Sequence, residues 1–194
     1  MTIITRHSVL GFISGVVFIL LLEVVAALVL MSNFGLGSRD DSALPEAPAL
    51  PGDMHLGNLD GRFRDLDGQE MSFADLQDKV VILNLWATWC PPCRAEMPSL
   101  ENLWRMFRDE EKVAVICVSE ERAEDVRAHP FTASVNMPLY VFATDAPTEL
   151  NTRALPTTYI FDRRGQLVFS HTGMAQWDAP HVVMFVRDQL KGED

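Results

Sequence analysis

The chain has 194 residues and a formal net charge of −11, a length that suits one domain plus an appendage. Its acidic balance, with no basic run, argues against nucleic acids and anionic lipid surfaces as partners. A domain of this size buries enough surface to fold without disulfide staples, so the three cysteines need not be structural.

From Val9 to Met31 the sequence reads VLGFISGVVFILLLEVVAALVLM, with Glu23 as its one charged residue. About 20 apolar residues span a bilayer core, and the run exceeds the roughly 7–15 of a signal-peptide core. It predicts an uncleaved transmembrane helix over residues 9–31, behind a short cytoplasmic N-terminus over 1–8. A cleaved signal is the alternative, since Gly35 and Gly37 give a small-x-small pattern. Arg6 precedes the run, whereas Arg39 is followed at once by Asp40 and Asp41. The positive-inside rule then puts the domain outside the cytoplasm. Glu23 either meets a polar partner helix or sits protonated or snorkelled, because a charge at that depth is costly.

Ser32 to Leu50 has the Gly, Ser, Asp and Pro composition of a flexible tether; the linker is placed over 32–44 and the domain over 45–194. Asp60-Gly61 and Asp67-Gly68 are hairpin-type turn signals. Ser72 to Asp75 has the spacing of a helix start. Val80 to Trp86 (VVILNLW) reads as a strand buried on both faces. A helix begins near Cys90, with Met97, Leu100, Trp104 and Phe107 at helical spacing. Val113 to Val118 is a second buried strand, Glu120 to His129 a polar helical stretch, and Leu139 to Phe142 a short strand. Thr157 to Phe161, a turn at Arg164-Gly165 and Gln166 to Ser170 predict a hairpin. Asp178 is placed to cap a last helix bearing Val182, Val183, Val186 and Leu190 on one face. The order predicts an α/β fold with a central mixed sheet flanked by helices.

Cys90-Pro91-Pro92-Cys93 is the chemically informative segment. CxxC is also half of a zinc site, but no second pair follows and His55, His129, His171 and His181 are scattered, so neither metal nor cofactor is expected. A two-residue loop closes little chain entropy, which argues against a static disulfide. The pair lies between a strand end and a helix start, where free amides and the helix dipole favour a thiolate, the form that attacks disulfides. Cys90 is the expected attacking sulfur and Cys93, one turn in, the resolving one. Cys117, inside VAVICV, reads as a core residue, as does Trp104. Trp86 and Trp89 could flank the site, Trp86 packing in the core and Trp89 offering contact surface.

Trp86 to Cys93 (WATWCPPC), followed by Pro98, resembles the active-site stretch of thioredoxins. Leu155-Pro156-Thr157-Thr158 resembles the loop in which that superfamily sets a cis-proline opposite the CxxC pair. With the anchor, the hairpin segment and the polar helical stretch, the chain is similar to TlpA-like and ResA-like extracytoplasmic thioredoxins over about Pro45 to Leu190. That resemblance implies a thioredoxin-like fold, a cis bond at Pro156, and a substrate surface of Trp89, Pro91, Leu155 and Pro156. It further implies a membrane thiol reductase as electron donor. Where cytosolic thioredoxin carries a buried Asp, this chain has Asn84, which cannot accept a proton. Relatives of the ResA type often place a Glu three residues past the second cysteine, here Glu96. It is either a proton acceptor for Cys93 or a surface carboxylate favoured by the helix dipole. Pro91 and Pro92 lack N–H donors, and a less stabilised thiolate makes a more reducing pair.

The expected activity is reduction of protein disulfides outside the cytoplasm, at the inner membrane and facing the periplasm or cell exterior. Apocytochrome c is the leading substrate class and copper-site proteins the second. A non-catalytic binding module or metal chaperone is an alternative. A thiol peroxidase would need Thr-x-x-Cys, and Thr88-Trp89-Cys90 has the wrong spacing.

Overall fold

The computed structural model describes residues 19–25, 54–150 and 154–191. Residues 19–25 are helical (α1), with Ile19, Leu20, Leu21, Leu22, Val24 and Val25 exposed. No helix among the described residues is long and apolar enough to cross a membrane. The rest of the predicted anchor, the cytoplasmic N-terminus and the linker lie outside the described residues.

The second unit is built on one seven-stranded sheet in the order β2-β1-β5-β4-β3-β6-β7. Its strands are β1 (Arg62–Asp65), β2 (Glu70–Ser72), β3 (Val80–Trp86), β4 (Val113–Ser119), β5 (Leu139–Phe142), β6 (Thr157–Phe161) and β7 (Leu167–Thr172). β3, β4 and β5 run parallel, while β1, β2, β6 and β7 pair antiparallel at the flanks. The helices are α2 (Pro91–Phe107), α3 (Ala123–Ala128) and α4 (Pro180–Leu190).

Alternation along the central strands sorts the core into two layers, since successive strand side chains point to opposite faces. Val80, Ile82 and Trp86 of β3, with Val115 and Cys117 of β4, pack with Met97, Leu100, Leu103, Val126, Val182 and Val186 of the three helices. Val81, Leu83, Leu85, Ile116 and Val118 face the other way, against Leu56, Phe63, Phe73, Leu76 and Leu150. Helices therefore cover one face, and short 3-10 turns at Leu56–Asn58, Phe73–Leu76 and Thr148–Leu150 cover the other. Asn84 and Thr158 fall on the helical face, which puts two polar side chains beneath α2.

Several local expectations are corrected. Asp67-Gly68 turns β1 into β2, with Gly68 at φ +94, but Asp60-Gly61 leads into β1 and joins no two described strands. The polar stretch after β4 is helical only over Ala123–Ala128; Pro130, with no N–H to donate, follows closely. Asp178 does not cap α4, whose N-cap is Ala179 with no side-chain bond. Its carboxylate instead accepts from Asn102 of α2 and from Gln176. Trp104 is only partly buried, its ring facing the Arg108 guanidinium at 5.7 Å, while Trp177 is fully buried.

Candidate active site

β3 ends at Trp86, and the turn Ala87 to Cys90 leads directly into α2. Cys90 is the N-cap, Pro91 and Pro92 occupy the first two helical positions, and Cys93 N–H donates to Cys90 Sγ at 3.2 Å. Proline suits these positions because the first-turn amides have no partner within the helix. The two sulfurs are joined in a disulfide. Both cysteines are buried in this oxidised form, Cys90 at 3% and Cys93 at 0% exposure, so the order of exposure is as expected but the difference is small. Trp89 is 67% exposed beside them, and Pro91 and Pro92 are also exposed.

The Leu155-Pro156 bond is cis. Thr157 follows at the start of β6 and Leu85 is its partner on β3, so the loop lies at the same end of the sheet as the cysteine pair. The Pro156 carbonyl accepts from Gly173 N–H at 2.8 Å. Gly173 sits at φ +107, a left-handed conformation that side chains disfavour, and it opens the β7–α4 connection. A cleft of about 530 Å³ runs between Trp89 and Leu155, with Leu85, Ala87, Val118 and Glu121 in its walls. The expected surface residues Trp89, Pro91, Leu155 and Pro156 are thus gathered near the disulfide.

Glu96 is where sequence and structure diverge most. It is 2% exposed and lies in the second turn of α2, turned toward the sheet, so the surface-carboxylate reading is corrected. Its Oε1 accepts from Asn84 Nδ2 at 2.8 Å. Its Oε2 accepts from Trp177 Nε1 at 2.9 Å and from Ala175 N–H at 3.1 Å. Burial pushes the Glu96 carboxyl above its ordinary range, although the Trp177, Ala175 and Asn84 donors oppose the shift. Desolvation wins because it acts on the whole charged group, while three neutral donors restore only part of its lost hydration. A carboxyl so placed can hold or release a proton within one helical turn of Cys93.

Asn84 Nδ2 also donates to Thr158 Oγ1 at 2.8 Å, and its Oδ1 has no partner. Cys117, opposite Asn84 in the β3–β4 register, is fully buried and outside the disulfide. Burial, with Glu96's charge adding to it, pushes its thiol well above the usual cysteine range. Trp177 and Ala175 were not legible as site residues, and Thr158 was legible only as part of the cis-proline stretch, not as a partner of Asn84. Trp177 lies 81 positions from the carboxylate it serves, with no motif around it to mark the contact.

The comparisons with known proteins agree with this geometry. Residues 53–170 match the family model described as AhpC/TSA family. The thioredoxin-like protein YneN of Bacillus subtilis is 36% identical over 118 residues, covering 59% of this chain and 68% of YneN. The thiol-disulfide oxidoreductase ResA of the same organism is 33% identical over 113 residues, or 56% of this chain and 62% of ResA. The chain thus spans a little under two thirds of ResA's length. A solution structure from Bacteroides thetaiotaomicron, of a candidate protein disulfide isomerase, aligns with a TM-score of 0.58 at 26% identity, covering 68% of this chain and 86% of that one. The chain belongs to the AhpC/TSA family, among the thiol-disulfide oxidoreductases of the ResA and YneN type.

Proposed function

We propose that the protein reduces protein disulfides outside the cytoplasm, held at the inner membrane by residues 9–31 with the domain facing the periplasm or cell exterior. The observation that carries the direction is the CPPC segment. With proline at both intervening positions, Cys93 N–H is the amide that reaches Cys90 Sγ. A thiolate with few donors is less stabilised, and its pair is more reducing, nearer the roughly −270 mV of thioredoxin than the roughly −120 mV of a strong periplasmic oxidant.

The reaction starts from the reduced pair. The Cys90 thiolate attacks one sulfur of the substrate disulfide, a mixed disulfide forms, and the other substrate sulfur leaves as a thiolate. Cys93 then gives up its proton, for which Glu96, one helical turn further along α2, is the acceptor, and attacks Cys90 Sγ. The Cys90–Cys93 disulfide forms, the second substrate thiol departs, and two electrons have passed to the substrate. A membrane thiol reductase returns them to the pair. Apocytochrome c is the leading substrate class, with copper-site proteins second, and Trp89, Pro91, Leu155 and Pro156 supply the contact surface.

The test is Cys93→Ala in the native host, which should accumulate Cys90 mixed disulfides with substrate. Recovery of thiol-containing haem- or copper-site precursors supports the reading. Loss of peroxide-consuming activity, with no trapped protein, would overturn it in favour of a peroxidase. Protease protection of the domain in spheroplasts would overturn its placement, and a trimmed soluble periplasmic form would overturn the anchor.

A further inference from the structure

The turn that carries the site out of β3 is gripped from two sides. Glu121, just past the end of β4, accepts from the Thr88 backbone N–H through Oε2 and from the Thr88 hydroxyl through Oε1, both at 2.6 Å. Ser119 Oγ donates to the same Oε2 at 3.1 Å and accepts from the Glu121 N–H at 3.1 Å, so the carboxylate is itself held. On the far side Arg94 Nη1, from α2, donates to the Thr88 carbonyl at 2.8 Å. Both backbone polar groups of Thr88 are committed to charged partners from different elements. Thr88 is 5% exposed, and charge-assisted bonds of this kind are roughly twice as strong as neutral ones.

Two consequences follow for the residues next in the chain. Trp89 and Cys90 are presented from a fixed turn, so the exposed indole and the sulfur keep one relation to the cleft. Glu121 also lines that cleft together with Trp89 and Leu155, and the donors that hold it are neutral, so its charge is not cancelled at the contact. A fixed anion on Thr88, two residues before Cys90, raises the energy of a second anion, the Cys90 thiolate. The other titratable or charged groups on the elements around Cys90 are Cys93, Arg94 and Glu96 from α2, Cys117 from β4, Glu120 and Arg122 on either side of Glu121, and His171 from β7; Glu101 and Arg105 lie further along α2 and pair with each other, as Arg122 does with Glu124. The described part of the cis-proline loop, residues 154–158, brings none.

We propose that Glu121 is a positioning residue for the exchange reaction, locking the Thr88–Cys90 turn while its charge holds the pair on the reducing side. This rests on Cys90 being the attacking sulfur. The same carboxylate therefore does two things that substitution can separate. Glu121→Gln keeps the shape and removes the charge, and it turns an acceptor toward Thr88 into a donor. Glu121→Asp keeps the charge and draws the carboxylate back from the turn.

The experiment follows alkylation of Cys90 against pH in the reduced full-length protein, with peptide mass analysis to identify the thiol, beside insulin reduction rates. Glu121→Gln is expected to lower the Cys90 titration midpoint by about 0.3–0.6 pH unit, the size of the shift that a solvent-screened unit charge produces. Glu121→Asp is expected to keep the parent midpoint while slowing insulin reduction severalfold, as a loosened turn requires. A Glu121→Gln midpoint equal to the parent's, or a Glu121→Asp midpoint that moves as far as the Gln variant's, overturns the proposal. A parent protein that does not reduce insulin, or whose Cys90 is not the first thiol alkylated, instead overturns the reading of Cys90 on which it rests.

Discussion

Glu96 shows how much a single position can hide. Its place three residues past Cys93 was readable, and so was its possible part in proton transfer. Its burial was not, because that depends on Trp177 and Ala175, which reach it from the β7–α4 connection. The consequence is a pH dependence of defined sign. The native carboxyl keeps its proton above the pH, about 4.3, at which an unfolded Glu releases it. Stability therefore falls as pH rises through that value toward the raised native one, and stays lower beyond it. Glu96→Gln should remove this slope, so the difference in Tm between variant and parent should widen in the variant's favour with rising pH and then level off. Scanning calorimetry from acid to neutral pH measures it, and a difference flat in pH would show that desolvation is not the ruling cause. In turnover, the same variant should slow release from the mixed disulfide and alter its pH profile; superimposable profiles would remove Glu96 from the chemistry. Cys117 was legible outright, since a cysteine inside VAVICV has nowhere to go but the core. Cys117→Ala should cost roughly 0.5–2 kcal/mol of stability and leave disulfide reduction intact. In the native reduced protein, a maleimide label should reach Cys117 last, and rapid labelling there would contradict its place in β4.

At the scale of elements, the central strands were read almost to the residue, because β3 and β4 are buried on both faces and need continuous apolar runs. α2 was equally clear from its periodicity. The elements misjudged are those whose form depends on contacts distant in sequence. Nothing in the polar composition from Glu120 to His129 sets the length of α3, and nothing local tells Asp178 to bind Asn102 rather than the amides of α4. The β7–α4 connection carries no motif in the sequence, yet it touches the cis-proline loop through Gly173 and the buried carboxylate through Ala175 and Trp177. It joins the two halves of the site. Trp177→Phe keeps most of the ring volume and removes one donor to Glu96. We expect about 1.5–3 kcal/mol of destabilisation by urea titration, the usual cost of losing a hydrogen bond to a charged group. The Glu96 carboxyl should also titrate still higher, since that donor works to lower it. A Phe variant with unchanged stability and unchanged pH dependence would mean the indole contributes packing alone.

For the molecule as a whole, the net charge of −11 acts before any contact is made. Reduction of a basic disulfide-bonded test protein should slow as ionic strength rises from about 0.01 to 0.15 M, where the screening length shrinks from about 30 to 8 Å. An acidic test protein should show the opposite trend, and equal salt dependence for both would exclude long-range steering. The chain also enters this unit at a telling place. Met54 and Leu56 are stitched to the β6–β7 turn, Leu56 N–H to the Gly165 carbonyl and Leu167 N–H to the Met54 carbonyl. His55 lies so close against Gly165 that a Cβ there would meet its ring at 2.8 Å. β6 runs antiparallel to β3, so this turn lies at the opposite pole of the sheet from Trp86 and the cysteines, roughly 20 Å away for strands of this length. Met54 to Leu56, where the described domain begins, therefore lie at its back. A bead or a chip coupled through those residues should leave the disulfide fully open to partners as large as a folded protein, whereas coupling through α2 should shade it. The start of the described domain and its reactive disulfide stand at opposite poles of one sheet.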